Sequence, residues 1–492
     1  MRQNRLFSLK PYRVRAFFYS TFLLGVVVSC NNCSGGMSAS QGSLLESENT
    51  SNESLTEATE MLKSDSWSVA NADEVSFRSH VINVGSGHFL VGHGQKLRRM
   101  NYDNSIDTSF GIMGEITVPG AIRAVHNHGA SLWVASTVPG SVPEARPTVL
   151  HLQKYDLASG AIAEDFGLLS NGIRSRKLNL DDTEPLSVGY LTNVMLNTFS
   201  NGDILLVLPT PQDRINMFRI RPTGNTLLWS NSISNAGYYF IFPRHVKVLN
   251  DDRFLITGYS QQIDRTISRR VGYLYAARVL PSGALDTTFA DQGEIKPGYF
   301  NFERSLTPDY VFTSSTSQRI EDEISCCVLQ DDAGRIYFFR AIATGTGRGH
   351  ILIVRTNSEG ILDASFGTGG YILIRHSTYH FDIKNVVTLS TGKIMLLGGV
   401  RLDTIGYPYP FYSDKFHQAF MLRLNSNFTV DTNFGSEGFI MFGSLNGISE
   451  SVTHMFEAGG QVHLFGSVWM PRLATYGYRQ VESRGHLFYK RQ

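Results

Sequence analysis

The sequence predicts an all-β fold made of repeated units, and three observations predict it. A short phrase recurs as Ile106-Asp107-Thr108-Ser109-Phe110-Gly111, Leu285-Asp286-Thr287-Thr288-Phe289, Leu362-Asp363-Ala364-Ser365-Phe366-Gly367 and Val430-Asp431-Thr432-Asn433-Phe434-Gly435, with weaker copies at Ile162 to Gly167 and around Leu228-Trp229. A turn glycine leading into an apolar run forms a second, independent signal ahead of the first, as in Gly392-Lys393-Ile394-Met395-Leu396-Leu397-Gly398. Abundant Gly, Tyr and Phe with modest Pro, and short apolar runs between turn residues, give a β-rich globular composition. Self-similarity at spacings of roughly 55 to 80 residues marks an array of small supersecondary units sharing one core, which overrides the three domains that length alone suggests.

The chain begins with an address. Arg2, Arg5, Lys10, Arg13 and Arg15 form a positive segment, and the apolar run Ala16 to Val28 is too short to span a bilayer comfortably. Val27-Val28-Ser29-Cys30 then resembles the lipobox of bacterial lipoproteins, which implies that residues 1–29 are a signal peptide and that Cys30 becomes the acylated first residue of the mature chain. An ordinary secretory cleavage near Ser29 or an uncleaved anchor is the competing reading. Asn31, rather than Asp, follows the cysteine. By the enteric sorting rule this permits export to the outer membrane, so the expected place is the bacterial cell envelope. Residues 30–66 are rich in Ser, Glu, Asn and Thr and poor in aromatics, so they read as a disordered acidic tether.

Residues 67–492 carry the repeats. The hairpin signal recurs at Gly87 to Gly92, Gly129 to Ala135, Asn201 to Leu206, Asp252 to Gly258, Gly334 to Phe339, Gly392 to Gly398 and Gly460 to Gly466, each time at a turn that needs a residue tolerant of positive φ. A further strand follows each: Lys96 to Met100, Thr148 to Lys154, Asn216 to Arg221, Tyr273 to Val279, Ile351 to Arg355, Ala419 to Leu424 and His486 to Tyr489. A polar turn, the Asp-containing phrase and a last strand such as Tyr371 to Ile374 complete the unit. The count predicts a β-propeller of seven four-stranded blades, because radial packing buries both faces of every sheet and leaves short edges. Six or eight blades, or a β-solenoid, are the alternatives. Glu74 to Arg78 is the expected first strand of blade one, with the termini meeting to close the ring.

These repeats resemble the delta-60 repeat family of bacterial secreted and surface proteins, whose units carry a Leu-Asp-x-Ser-Phe-Gly-x-x-Gly phrase. Phe366-Gly367-Thr368-Gly369-Gly370 and Phe434-Gly435-Ser436-Glu437-Gly438 match it well, while the units near Phe166 and Trp229 depart from it. The resemblance covers about Glu74 to Tyr489 and implies a propeller-like architecture, with no catalytic residues to carry over.

Asp107, Asp286, Asp363 and Asp431 are expected to accept hydrogen bonds from backbone N–H groups two residues on, while Phe110, Phe289, Phe366 and Phe434 plug between blades. Regular recurrence is what a structural staple requires. A repeated calcium site is the alternative, since carboxylates and loop carbonyls are its ligands; otherwise no cofactor and no metal is expected. Cys326-Cys327 are adjacent on an expected buried strand and so should not bridge each other, and no disulfide framework or zinc pattern is visible.

Function is expected on the end of the blades where loop length varies, opposite the repeated motifs. Its first-to-second loops include Arg174 to Val188 and Pro297 to Glu323; its third-to-fourth loops include Ser260 to Arg270, Gly345 to Gly349, Tyr407 to Tyr412 and Val468 to Arg479. Tyr409, Tyr412, Trp469, Tyr478, Arg265 and Arg270 are the candidate binding residues, being of types enriched at binding hot spots. With 44 Lys and Arg against 43 Asp and Glu, nothing recommends a nucleic-acid partner. The chain has no Gly-x-Ser-x-Gly elbow, His-Glu-x-x-His or phosphate loop, and His126 and His128 read as a polar pair on a turn. The leading expectation is a lipid-anchored, non-enzymatic scaffold that binds a protein or glycan. An envelope glycan hydrolase or lyase, with acids and Arg converging in the central channel, is the alternative.

Overall fold

The computed structural model describes residues 66–67, 80–103, 105–138, 149–170, 173–178, 193–209, 214–223, 226–234, 240–264, 269–297, 299–300, 327–343, 349–375, 379–402, 417–441, 449–474 and 477–490. The expected first strand at Glu74 to Arg78, Cys30, and the signal and most of the tether lie outside them.

Among the described residues every regular element is a strand. A two-residue strand β1 (Ser66–Trp67) comes first. Blade 1 contains β2 (His80–Gly85), β3 (His88–His93), β4 (Lys96–Asn101) and β5 (Glu115–Thr117). Blade 2 contains β6 (Ala121–His128), β7 (Ser131–Val138), β8 (Val149–Asp156), β9 (Leu168–Ser170) and β10 (Ile173–Leu178), with β10 paired to β8 and β9 outermost. Blade 3 is β11 (Met195–Thr198), β12 (Ile204–Pro209), β13 (Arg214–Ile220) and β14 (Leu227–Ser234). Blade 4 is β15 (Phe240–Val248), β16 (Phe254–Asp264), β17 (Arg269–Val279) and β18 (Glu294–Ile295). Blade 5 is β19 (Cys327–Gln330), β20 (Ile336–Ala343), β21 (Gly349–Thr356) and β22 (Tyr371–Arg375). Blade 6 is β23 (Tyr379–Thr388), β24 (Ile394–Leu402), β25 (His417–Leu424) and β26 (Phe439–Met441). A composite closing sheet joins β27 (Ser449–Ala458), β28 (Gln461–Ala474) and β29 (Gly477–Lys490) to β1.

Six blades are thus built from consecutive strands in a β-propeller arrangement. The first strands touch in sequence, β2 on β6, β6 on β11, β11 on β15, β15 on β19, β19 on β23 and β23 on β27, so they surround an axis; β27 also touches β2. In blades 1, 4, 5 and 6 the short strand after the Asp-containing phrase pairs with the strand before that phrase. This corrects the expected blade boundary: the phrase sits inside a blade, Arg174 to Leu178 belongs to β10 of blade 2, and the crossovers to the next blade follow β10 and β18, with the rest of the segments expected at Arg174 to Val188 and Pro297 to Glu323 lying mostly outside the described residues. The two ends of the blades keep their membership, because antiparallel strands put the first and third connections at one end and the second connection and crossover at the other.

Second strands read as continuous apolar runs because neighbouring blades cover both of their faces; β12 is buried at every position. The core is accordingly divided into slabs between blades. Leu90 and Phe110 of blade 1 pack with Ile122, Leu132 and Val134 of blade 2, and Val81, Phe89 and Met100 of blade 1 pack with Phe465 of the closing sheet. At the hairpin turn of blade 4 a non-glycine residue, Asp252, takes φ 63°. Its carboxylate repays the strain by accepting bonds from the Ser200 N–H and hydroxyl of blade 3, both at 2.7 Å.

Candidate functional site

The end that carries the repeats is sealed by one arrangement used four times. Arg99, Arg278, Arg355 and Arg423 stand on third strands and pair with the aspartates eight residues on, Asp107, Asp286, Asp363 and Asp431, at 2.7, 2.7, 2.8 and 2.6 Å. Each guanidinium also lies over the phrase phenylalanine, with 4.8, 4.8, 4.5 and 4.3 Å to the ring centroids of Phe110, Phe289, Phe366 and Phe434. The other carboxylate oxygen accepts the N–H two residues on, from Ser109, Thr288, Ser365 and Asn433.

Two of these arginines reach across to the next blade. Arg99 Nη1 donates to the carbonyls of Leu157 and Ala158 at 2.8 and 2.6 Å, and Arg278 Nη1 donates to the Ser358 carbonyl. Burial opposes ionisation of Asp286, but hydrogen bonds from Thr288 and Arg253 and the charge of Arg278 outweigh it and hold the carboxyl below its ordinary value. The oxygens that calcium would need are engaged by guanidinium and backbone N–H groups, and no cluster of three or more His, Cys, Asp or Glu suited to a metal occurs among the described residues. The arginines were missed in the sequence although their signal is plain: an Arg eight residues before each phrase aspartate.

The opposite end is uneven. In blade 1 the middle hairpin closes tightly at the pair His93 and Lys96. Among the described residues of the closing sheet, β27 pairs with β28 as far as Trp469, whereas β28 and β29 stay paired from there to Ala474 and Gly477. The extra length projects by about 16 Å at the usual rise per residue. The β16–β17 hairpin also outruns β15, pairing on to Asp264 and Arg269.

The candidate binding residues therefore divide. Trp469 lies on β28, Tyr478 on β29 and Arg270 on β17, each on an elongated strand and not in a loop as expected, because the second hairpins are longer than the repeat requires. Arg265, Tyr409 and Tyr412 lie outside the described residues. Cys327 begins β19 and takes part in a disulfide whose partner is outside the described residues, contrary to the expectation of no such bond.

The innermost strands share a bulge at a repeated position, and three of the four bulge residues are cationic, Lys384 being paired with Asp382. Register breaks at β-bulges between Ile122 and Ala124 in β6, Pro243 and His245 in β15, Ile383 and Asn385 in β23, and Val452 and His454 in β27. The extra residues are Arg123, Arg244, Lys384 and Thr453. Arg123 Nε donates to Thr137 Oγ1 at 2.7 Å, and Arg244 Nη1 donates to Asn193 Oδ1 at 3.2 Å.

His126 and His128 are on β6 and not on a turn; both lie against Thr198 Oγ1 of blade 3, at 3.2 and 3.0 Å. Burial, and secondarily His128, pushes His126 down to about 4; burial, and secondarily Lys247, does the same to His245. Both rings are neutral at pH 7.

No protein-family model and no curated protein matches the chain. Solved structures with similar strand arrangements include the N-terminal domain of Nup159, at 9% identity over 84% of this chain and 89% of that one with a TM-score of 0.37. Drosophila semaphorin 2a is 9% identical over 83% of this chain and 73% of that one, with a TM-score of 0.42. A polysaccharide lyase, an ulvanlyase, is 8% identical over 73% of this chain and 82% of that one, with a TM-score of 0.34. At such scores these likenesses assign neither partner nor reaction to this chain.

Proposed function

We propose that this chain is an envelope lipoprotein, held by an acylated Cys30 and a tether, whose propeller binds a protein or glycan through the end opposite the repeats. In this reading the closing sheet counts as a seventh blade and the ring is continuous, supported by Phe89 of blade 1 packing at 5.0 Å against Phe465 of the closing sheet. The observation that carries the binding reading is the β28–β29 hairpin, which among the described residues continues past its inner neighbour, whereas four blades are stapled at the repeat end. A hairpin extended beyond the core adds nothing to blade packing, and elements displayed on a rigid scaffold are where contacts are made.

Site-specific photo-crosslinking in intact cells tests this. A photoreactive residue in place of Trp469 or Tyr478 should capture a discrete partner band, and the same residue in place of Lys393 or Arg335 at the repeat end should not. Capture from the repeat end alone reverses the assignment.

A further inference from the structure

The loops that follow the phrase phenylalanines share one backbone and carry two kinds of tip. Two residues after the phenylalanine stand Asp291-Gln292 in blade 4, Thr368-Gly369 in blade 5 and Ser436-Glu437 in blade 6, but Ile112-Met113 in blade 1. Met113, Gln292 and Glu437 take the same left-handed φ of 55°, 53° and 52°, so the turns are equivalent and only their side chains differ. In blade 2 the same two places after Phe166-Gly167 are Leu168-Leu169, which open β9.

These four apolar side chains face water. Ile112, Met113, Leu168 and Leu169 are 83, 75, 69 and 64% exposed. Ile106 and Ile162, which open the two phrases, are exposed as well, whereas Leu285, Leu362 and Val430 at the same place in other blades pack against the core. One exposed apolar residue needs no explanation, but a gathering confined to two blades marks a surface that is covered in use.

The two tips are neighbours on one end of the molecule. Gly111 N–H donates to the Ser159 carbonyl of blade 2 at 2.7 Å, in the turn just before Ile162, and both loops are third connections at the repeat end. β9 is the outermost strand of its sheet. Charged groups nearby are paired, Arg98 with Glu115 at 2.8 Å and Lys154 with Asp165 at 2.7 Å, so the edge attracts by burial and not by charge.

The course of the chain says what covers it. β29 ends at the repeat end, where Lys490 opposes Gln461; Ser66 opposes Gly485 and Trp67 opposes Arg484, so the antiparallel β1 runs away from the repeat end. The chain from Cys30 therefore joins the propeller on the repeat-end side of β1, and residues 31–65 span at most about 120 Å. A chain anchored at Cys30 keeps this end within reach of the bilayer, where tethering lets a weak second contact persist. A protein partner fits less well, since a specific interface takes about 800 Å² from each side, more than four side chains on two turns supply.

We infer that the rim of blades 1 and 2 at the repeat end is a membrane contact, in which Ile112, Met113, Leu168 and Leu169 enter the headgroup and upper acyl region of a phospholipid bilayer. The inference rests on the Cys30 anchor proposed above and adds an orientation to it: the repeat end faces the membrane and the β28–β29 hairpin points away. Interfacial contacts of this kind strengthen with the apolar area buried.

The test reconstitutes the full-length lipidated protein in vesicles of phosphatidylethanolamine and phosphatidylglycerol carrying a labelled phospholipid, with a photoreactive residue in place of Met113, Leu169, Gln292 or Tyr478. Lipid captured from the Met113 and Leu169 positions should exceed that from the Gln292 and Tyr478 positions at least tenfold, at low and high salt alike. I112D/M113Q, which installs the blade 4 pair and so keeps the turn, should lower capture from the Leu169 position about fivefold without moving the unfolding midpoint. L168T/L169T should do the same to capture from the Met113 position. A chain that floats with the vesicles yet shows no such excess, shows capture indifferent to both exchanges, or in cells is crosslinked from these positions to a protein instead of lipid, overturns the contact alone. A chain that does not float overturns anchor and contact together, so the two failures are distinguishable.

Discussion

Phe289 of blade 4 closes on Gly360 of blade 5 so tightly that a Cβ on Gly360 would stand 2.6 Å from the ring. The backbone there has φ +78°, and the adjacent Glu359 carbonyl accepts the Ala290 N–H at 2.7 Å. Phenylalanine, glycine and peptide group form one cross-blade joint, repeated where Phe110 meets Gly160.

Gly360→Ala should destabilise the protein by about 2 to 4 kcal/mol, combining left-handed strain with overpacking against Phe289. Gly392→Ala is the matched control, with φ +75° and nothing within 4 Å of the added methyl, and should cost only about 1 to 2 kcal/mol. Equal denaturation midpoints for the two variants would show that the joint contributes nothing.

Phe110, Phe289 and Phe434 are essentially inaccessible and Phe366 nearly so, and truncating each to Ala should cost on the order of 3 to 5 kcal/mol. Arg278→Ala should cost a similar amount, because Asp286 is left buried beside a single remaining cation, Arg253. Chemical denaturation of the four phenylalanine variants decides the first claim; two or more at the parental midpoint contradict it.

Acid should weaken the fold well above the carboxylate range. His126 and His245 titrate near 4 in the folded protein against about 6.5 when unfolded, so the unfolded chain takes up the proton first. Stability is full above pH 6.5 and falls as pH drops toward 4, by on the order of 1 to 3 kcal/mol for His126. The staple aspartates, held below their ordinary value, lose their contribution only at lower pH. His126→Gln should flatten the profile between pH 6.5 and 4; an unchanged slope rejects this origin.

Cys30→Ala should move the protein from the detergent phase to the aqueous phase or leave it unprocessed, because the apolar stretch before it is too short for a stable span. Unaltered partitioning excludes lipid attachment at Cys30.

The sequence by itself determined the repeat, the strands and the turns. Period-2 burial, turn glycines and the recurring phrase are local properties, so the hairpin at Gly392 and the Asp363 turn could be read residue by residue. It also placed the variable end, since alternation of antiparallel strands fixes which connections share an end.

Only the tertiary structure decided which sheet the strand after each phrase joins, because a short strand such as Glu294–Ile295 carries no local mark of its partner. Trp469 and Tyr478 likewise looked like loop residues until pairing across the long hairpin put them on strands. The cations of the axis were hidden for the same reason. Arg123 and Arg244 lie far apart in sequence, and only the radial stacking of separate blades brings their strands around one axis.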